Sequence, residues 1–184
     1  MVGLKSGSIR GLKGQAAMEY LMTYGWAILV IVIVLAVLLF LNPFKAPETC
    51  LFQQPGFSCS EVLPIVYTDG GQTFVSMKLA NKLGQNVKIH EVVCTTASIG
   101  DVKESTFDGV EFDPAKPVGA GASGDFSGPN TVPCVGADGN TQLNLNQNSQ
   151  FKGVIAVWYN YDNDPEDIHR QAFATLVTTV LVKS

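Results

Sequence analysis

No acidic residue occurs in the first 18 positions of this 184-residue chain, and between Ala16 and Leu41 Glu19 is the only charge of either sign. A stretch so empty of charge is not a solvated surface. The missing acids ahead of it leave Lys5, Arg10 and Lys13 as an unopposed basic leader. Histidine is almost absent, and His90 and His169 are not at the spacing of paired metal ligands. The four cysteines include no Cys-x-x-Cys, which removes the usual zinc patterns, so no metal site is expected. G-x-S-x-G and P-loop motifs are missing too, and no histidine stands beside a nucleophile. Catalysis therefore has no support, and neither enzyme activity nor a cofactor is expected. No Asn-x-Ser/Thr sequon occurs, so N-glycosylation by the usual rule is not expected. Past Gly14 the chain holds 9 basic and 16 acidic residues, a net charge near −7. Nucleic-acid binding needs a basic stripe and is excluded as a partner class.

What is present begins with Ala16–Leu41, 26 residues that would form a helix of about 39 Å, enough to cross a ~30 Å hydrocarbon core. The basic residues before it hold the N-terminus in the cytoplasm by the positive-inside bias and send the chain beyond Leu41 outside. A secretory signal would have an apolar core of about 7 to 15 residues followed by a small-residue cleavage site. Here the run is about twice as long and leaves through Asn42-Pro43-Phe44-Lys45-Ala46-Pro47, where the prolines stop the helix. The one suitable processing site lies in front of the helix, between Gly14 and Gln15. Cutting there removes the basic leader and keeps the apolar helix.

Lys13-Gly14-Gln15, then Ala16-Ala17-Met18-Glu19-Tyr20-Leu21 and Thr23-Tyr24-Gly25-Trp26, resembles the archaeal type IV pilin-like proteins with a class III (prepilin-like) signal peptide. The likeness covers residues 10 to 41. It implies cleavage between Gly14 and Gln15 by a prepilin-type membrane peptidase, which makes Glu19 the fifth mature residue. It further implies that Glu19 attracts the new α-amine of a neighbouring subunit during assembly, so that other copies of the chain, in a helical filament, are its partners. Membrane lipids would surround the helix before assembly. From the residues alone, a carboxylate in a membrane helix is costly and functional by default, with snorkelling into the headgroups as the competing reading.

Three segments are therefore expected: a leader over 1–14, a transmembrane or filament-core helix over 15–42, and an extracellular domain over 43–184. Cys50, Cys59, Cys94 and Cys134 form an even set in an exported domain, which points to disulfides. Four cysteines permit three pairings, and proximity in sequence favours Cys50–Cys59 and Cys94–Cys134. After the Cys50–Cys59 loop the pattern is that of strands. Leu63–Tyr67 ends at the turn Asp69-Gly70-Gly71, and Thr73–Ala80 alternates with Val75, Met77 and Leu79 on one face. Asn81–Gln85 reads as a hairpin connection to Asn86–Cys94, whose phase slips near Glu91 as at a β-bulge. Thr106–Phe112 is a weaker strand, and the Gly- and Pro-rich stretch from Asp113 to Asn140 reads as a long loop. Its Gly119-Ala-Gly-Ala-Ser-Gly124 matches G-x-G-x-x-G by spacing but lacks the strand and helix a dinucleotide site requires.

Gln142–Gln147 sets Leu143 and Leu145 on one face. Phe151–Tyr161 has Val154, Ala156 and Trp158 opposite Ile155, Val157 and Tyr159, and Phe173–Val182 is rich in Thr, Val and Leu. Asp162, Asp164, Glu166 and Asp167, between the last two strands, read as a solvated hairpin tip, with Ca²⁺ binding as the alternative. His90 and His169 read as surface residues. The expected fold is α+β: a long N-terminal apolar helix followed by an all-β, immunoglobulin-like sandwich. The expected function is that of a structural subunit of a surface filament with a role in adhesion. The alternatives are a membrane-tethered binding module and a minor pilin- or archaellin-like component.

Overall fold

The computed structural model describes residues 11–41, 46–59, 62–165 and 167–182. The chain divides into two compact units, Met1–Ala46 and Pro47–Ser184.

The first unit is built on one helix, α1 (Gly11–Leu41). Its 31 residues contain no proline and one charged residue in the apolar part, so nothing interrupts the backbone ladder. Apolar side chains occupy its whole circumference, a pattern suited to lipid or to burial among other chains and not to one buried stripe. Within it Ala17–Phe40 is long and apolar enough to cross a membrane, with a mean hydropathy of 2.7. The expected stop at Pro43 lies outside the described residues.

The second unit is a β domain. Its strands are β1 (Thr49–Phe52), β2 (Phe57–Cys59), β3 (Ile65–Asp69), β4 (Gln72–Asn81), β5 (Val87–Thr95), β6 (Val110–Val118), β7 (Ser123–Phe126), β8 (Val132–Val135), β9 (Gln150–Tyr161) and β10 (Arg170–Val182). Six of them close a ring: β3 pairs with β4, β4 with β8, β8 with β5, β5 with β9, β9 with β10, and β10 with β3. The closures of β5 on β8 and β10 on β3 are parallel; the other four are antiparallel. The domain is thus a closed six-stranded barrel and not the immunoglobulin-like sandwich expected from its strand pattern. Both architectures need the same alternation of side chains, and only the non-local pairing of β3 with β10 and of β5 with β8 separates them.

All six barrel strands supply one core, in which Val66, Val75, Ile89, Val132, Ile155 and Leu176 are fully enclosed. Along β9 the two faces part as the alternation requires. Ile155, Val157 and Tyr159 join this core, while Val154, Ala156 and Trp158 pack with Val93, Ala97, Val102 and Phe173 in a second, smaller cluster. The segment after β5 supplies Ala97 and Val102 to that cluster, so β9 is buried on both faces along most of its length.

Several local expectations hold. Gly70 and Gly71 both have positive φ, the conformation a two-residue turn between twisted strands demands, and they join β3 to β4. Val75, Met77 and Leu79 are buried, and the register of β5 against both β6 and β9 shifts between Ile89 and Glu91. Others fail. The turn at Asn81–Gln85 does not close a hairpin, because β8 lies between β4 and β5. The supposed loop from Asp113 to Asn140 contains the end of β6, all of β7 and all of β8. Pro114 and Pro117 lie in β6, which among the described residues pairs only with β5 and so has an edge free of ladder demands. The 119–124 glycine pattern runs from a turn into β7. Gln142–Gln147 is not a strand, although Leu143 exchanges backbone bonds with Thr73 and Cys134. Cys50 and Cys59, assigned to a loop, end up in β1 on β10 and β2 on β4.

Cys50 is bonded to Cys59 and Cys94 to Cys134. The second bridge joins residues directly opposite each other in the parallel closure of β5 on β8, with Cα atoms 4.5 Å apart.

Gly153 in β9 shows how tight the packing is. A Cβ there would lie 2.4 Å from the Phe151 ring and 2.6 Å from the Thr95 carbonyl oxygen. The backbone oxygen sits in the β5 ladder and cannot give way cheaply. Gly153→Ala is expected to destabilise the domain by about 1–3 kcal/mol, the usual cost of overpacking. Urea titration of the full chain in detergent checks this; an unchanged midpoint would show that the β5–β9 spacing relaxes freely.

Candidate functional site

Glu19 lies on the exposed surface of α1, one turn before Thr23, whose hydroxyl donates to the Glu19 carbonyl oxygen at 2.7 Å. That bond occupies the Thr23 hydroxyl internally, leaving no uncompensated donor on the apolar surface. Among the described residues the Glu19 carboxylate has no ion-pair or hydrogen-bond partner within the chain. The Tyr20 and Tyr24 rings lie against each other at a tilt, centroids 4.4 Å apart. Every described large apolar side chain from Met18 to Phe40 is exposed, up to 90% at Phe40. A Cβ on Gly25 would meet nothing within 4 Å, so no packing inside the chain requires glycine there. The Gly14–Gln15 bond lies inside α1, which begins four residues before Gln15.

A second candidate was not legible in the sequence. The bulge in β5 re-aims Glu91, and with β6 and the segment around Ser105 it forms one wall of a cleft of about 590 Å³. Glu91 is 2% exposed. One carboxylate oxygen accepts the Ser105 amide at 3.0 Å, and the other, Oε1, is buried with no hydrogen-bond partner. Glu111 is directly opposite it on β6, and Glu104 and Asp113 also line the cleft. His90 and His169, expected to be separate surface residues, stack on each other with centroids 4.1 Å apart. His90 Nε2 bonds the Asn160 side chain at 3.0 Å, and His169 Nδ1 contacts Glu104. The only sequence signal was an acid at a phase slip in a strand. The partners come from segments up to about 80 residues away, which no local pattern reports.

Burial pushes the Glu91 carboxyl above the ordinary glutamate range, the Ser105 amide opposes this, and the charges of Glu111 and Glu104 reinforce it. The folded chain therefore keeps this proton to higher pH than the unfolded chain does. The associated stability is fully present below the ordinary glutamate pKa and is lost as pH rises through the raised one. Glu91→Gln removes that slope. The stability of Glu91→Gln relative to the natural chain is expected to improve from pH 4 to pH 7.5 in urea titrations. A difference independent of pH would show that Glu91 titrates normally.

Two carboxylates of the Asp162–Asp167 tip are engaged elsewhere. Asp164 accepts two bonds from Arg170, at 2.9 and 3.2 Å, and Asp162 approaches Lys88 at 3.8 Å. The Arg170 guanidinium, with the Tyr161 amide, holds the Asp164 carboxyl below its usual range. Glu166 lies outside the described residues. No group of three or more His, Cys, Asp or Glu that would hold a metal ion occurs among the described residues.

No protein-family model matches the chain, and no curated protein matches it.

Proposed function

We propose that the chain is a structural subunit of an archaeal type IV pilus-like surface filament, assembled through α1 after leader cleavage and serving adhesion. One observation carries the reading: a helix apolar on all sides, with every described large apolar side chain from Met18 to Phe40 exposed, precedes a disulfide-bonded β domain. In the bilayer that surface is satisfied by lipid. Outside it, bundling with the same helix of other subunits would remove it from water. The exposed Gly25 suits close approach of such helices. The disulfides suit an oxidising compartment outside the cell. A prepilin-type peptidase would supply the free amine at Gln15 that Glu19 then meets.

Mass spectrometry of a sheared surface fraction tests both halves at once. The expected result is an abundant chain whose first residue is Gln15 with its α-amine free. A surface protein still carrying Lys5 or Arg10 would overturn the cleavage step. A second reading, a membrane-tethered binding module or a minor pilin- or archaellin-like component, draws support from the Glu91 cleft. Scarcity in sheared filaments alongside abundance in membranes would favour it.

A further inference from the structure

We propose that the Glu91 cleft is a binding site for a small aliphatic amine, with Glu91 and Glu111 as the acceptors of its ammonium group. The site belongs to the β domain alone and does not depend on filament assembly.

Two independent observations point to a cation. The first is the orphaned Glu91 Oε1, an acceptor buried in the cleft wall and unsatisfied in a fold that, among the described residues, otherwise satisfies its buried side chains. A buried acceptor without a donor costs on the order of 1–3 kcal/mol, more when charged. The second is the pairing of Glu91 with Glu111 across the β5–β6 ladder. Directly opposed residues of an antiparallel pair point to the same side, and like charges there repel. A positive ligand between them would relieve both conditions. Lys88, the basic residue lining the cleft, is already turned toward Asp162.

The geometry favours an ammonium over a metal ion. A metal needs several ligand atoms converging at about 2.0–2.6 Å, and no such set exists among the described residues. The stacked imidazoles keep their bonds to Asn160 and Glu104. An ammonium instead offers three N–H donors at hydrogen-bond distance, and it carries a chain that the cleft can hold. At about 590 Å³ the space falls in the range of small-molecule sites. Asp113, two residues beyond Glu111 on the same face of β6, stands ready for a second positive group. A diamine fits that arrangement best.

Calorimetry on the full chain in detergent, with putrescine as the probe, tests this. Saturable binding is expected, with tetramethylammonium, which has the charge but no N–H donor, at least roughly tenfold weaker. Glu91→Gln is expected to weaken putrescine by a similar factor. Glu111→Gln, on the more exposed β6, gives a second reading should the buried variant fail to fold. No saturable binding of putrescine by the natural chain would overturn the proposal. So would equal binding of tetramethylammonium, or binding unchanged in a folded Glu91→Gln or Glu111→Gln chain. Zn²⁺ binding in the absence of putrescine binding would replace the amine with a metal. None of these outcomes bears on whether the chain enters filaments.

Discussion

On the proposed filament role, Glu19→Ala is expected to give a chain that is processed and held in the membrane but yields few or no filaments. Insertion becomes easier, because an ionised group no longer has to enter the hydrocarbon. Docking becomes harder, because the α-amine of the neighbouring subunit meets a methyl group in place of a carboxylate. A charge-assisted hydrogen bond is worth roughly 1.5–3 kcal/mol net, so each docking step weakens by about tenfold or more. The loss repeats at every subunit added. The low dielectric of the apolar surroundings raises the stakes, since an unpaired amine there is more costly than in water. The helix itself is not at risk: within the chain the Glu19 carboxylate supports nothing among the described residues, and alanine is the better helix former. Leader cleavage by gel shift and filament counts by electron microscopy separate the two steps. Normal filament numbers would show that the carboxylate snorkels and that apolar packing alone drives assembly.

The second large effect is expected at the Cys94–Cys134 bridge. Replacing both cysteines with alanine opens a loop with a sequence separation of 40. The chain-entropy model puts the loss at about 4 kcal/mol, against roughly 3 for the shorter Cys50–Cys59 loop with its separation of 9. Position adds to length. Cys94 and Cys134 are both buried in the barrel core, so truncation also leaves space there. They also sit where β8, only four residues long, closes the ring onto β5 in parallel. Loss of the bridge should therefore loosen β8 first, and hydrogen exchange at Val132–Val135 should rise before the long β9–β10 ladder is affected. Chemical denaturation gives the total. A double alanine chain as stable as the natural one would show that the β5–β8 closure is held by packing alone.

The sequence by itself determined the elements whose signal is local. The apolar run was legible because a long apolar helix is a matter of composition over consecutive residues. The strands β4, β5, β9 and β10 were legible because side chains alternate with a period of two, and the slip at Glu91 because a bulge breaks that period in place. The division of β9 into two apolar faces could be read the same way, though not what each face would meet. The nearest-in-sequence disulfide pairings are those the structure has, but sequence alone left three possibilities. Only the tertiary structure decided the rest. The end of β6, with β7 and β8, hides in a Gly- and Pro-rich stretch because edge strands and four-residue strands owe their form to a partner and not to their own propensity. Barrel closure depends on β3 finding β10 and β5 finding β8, pairings between segments far apart that no period encodes. The Glu91 cleft depends on that closure in turn. Its acids come from β5, β6 and the segment between them, and they face one another only once the ladder has set Glu91 beside Glu111.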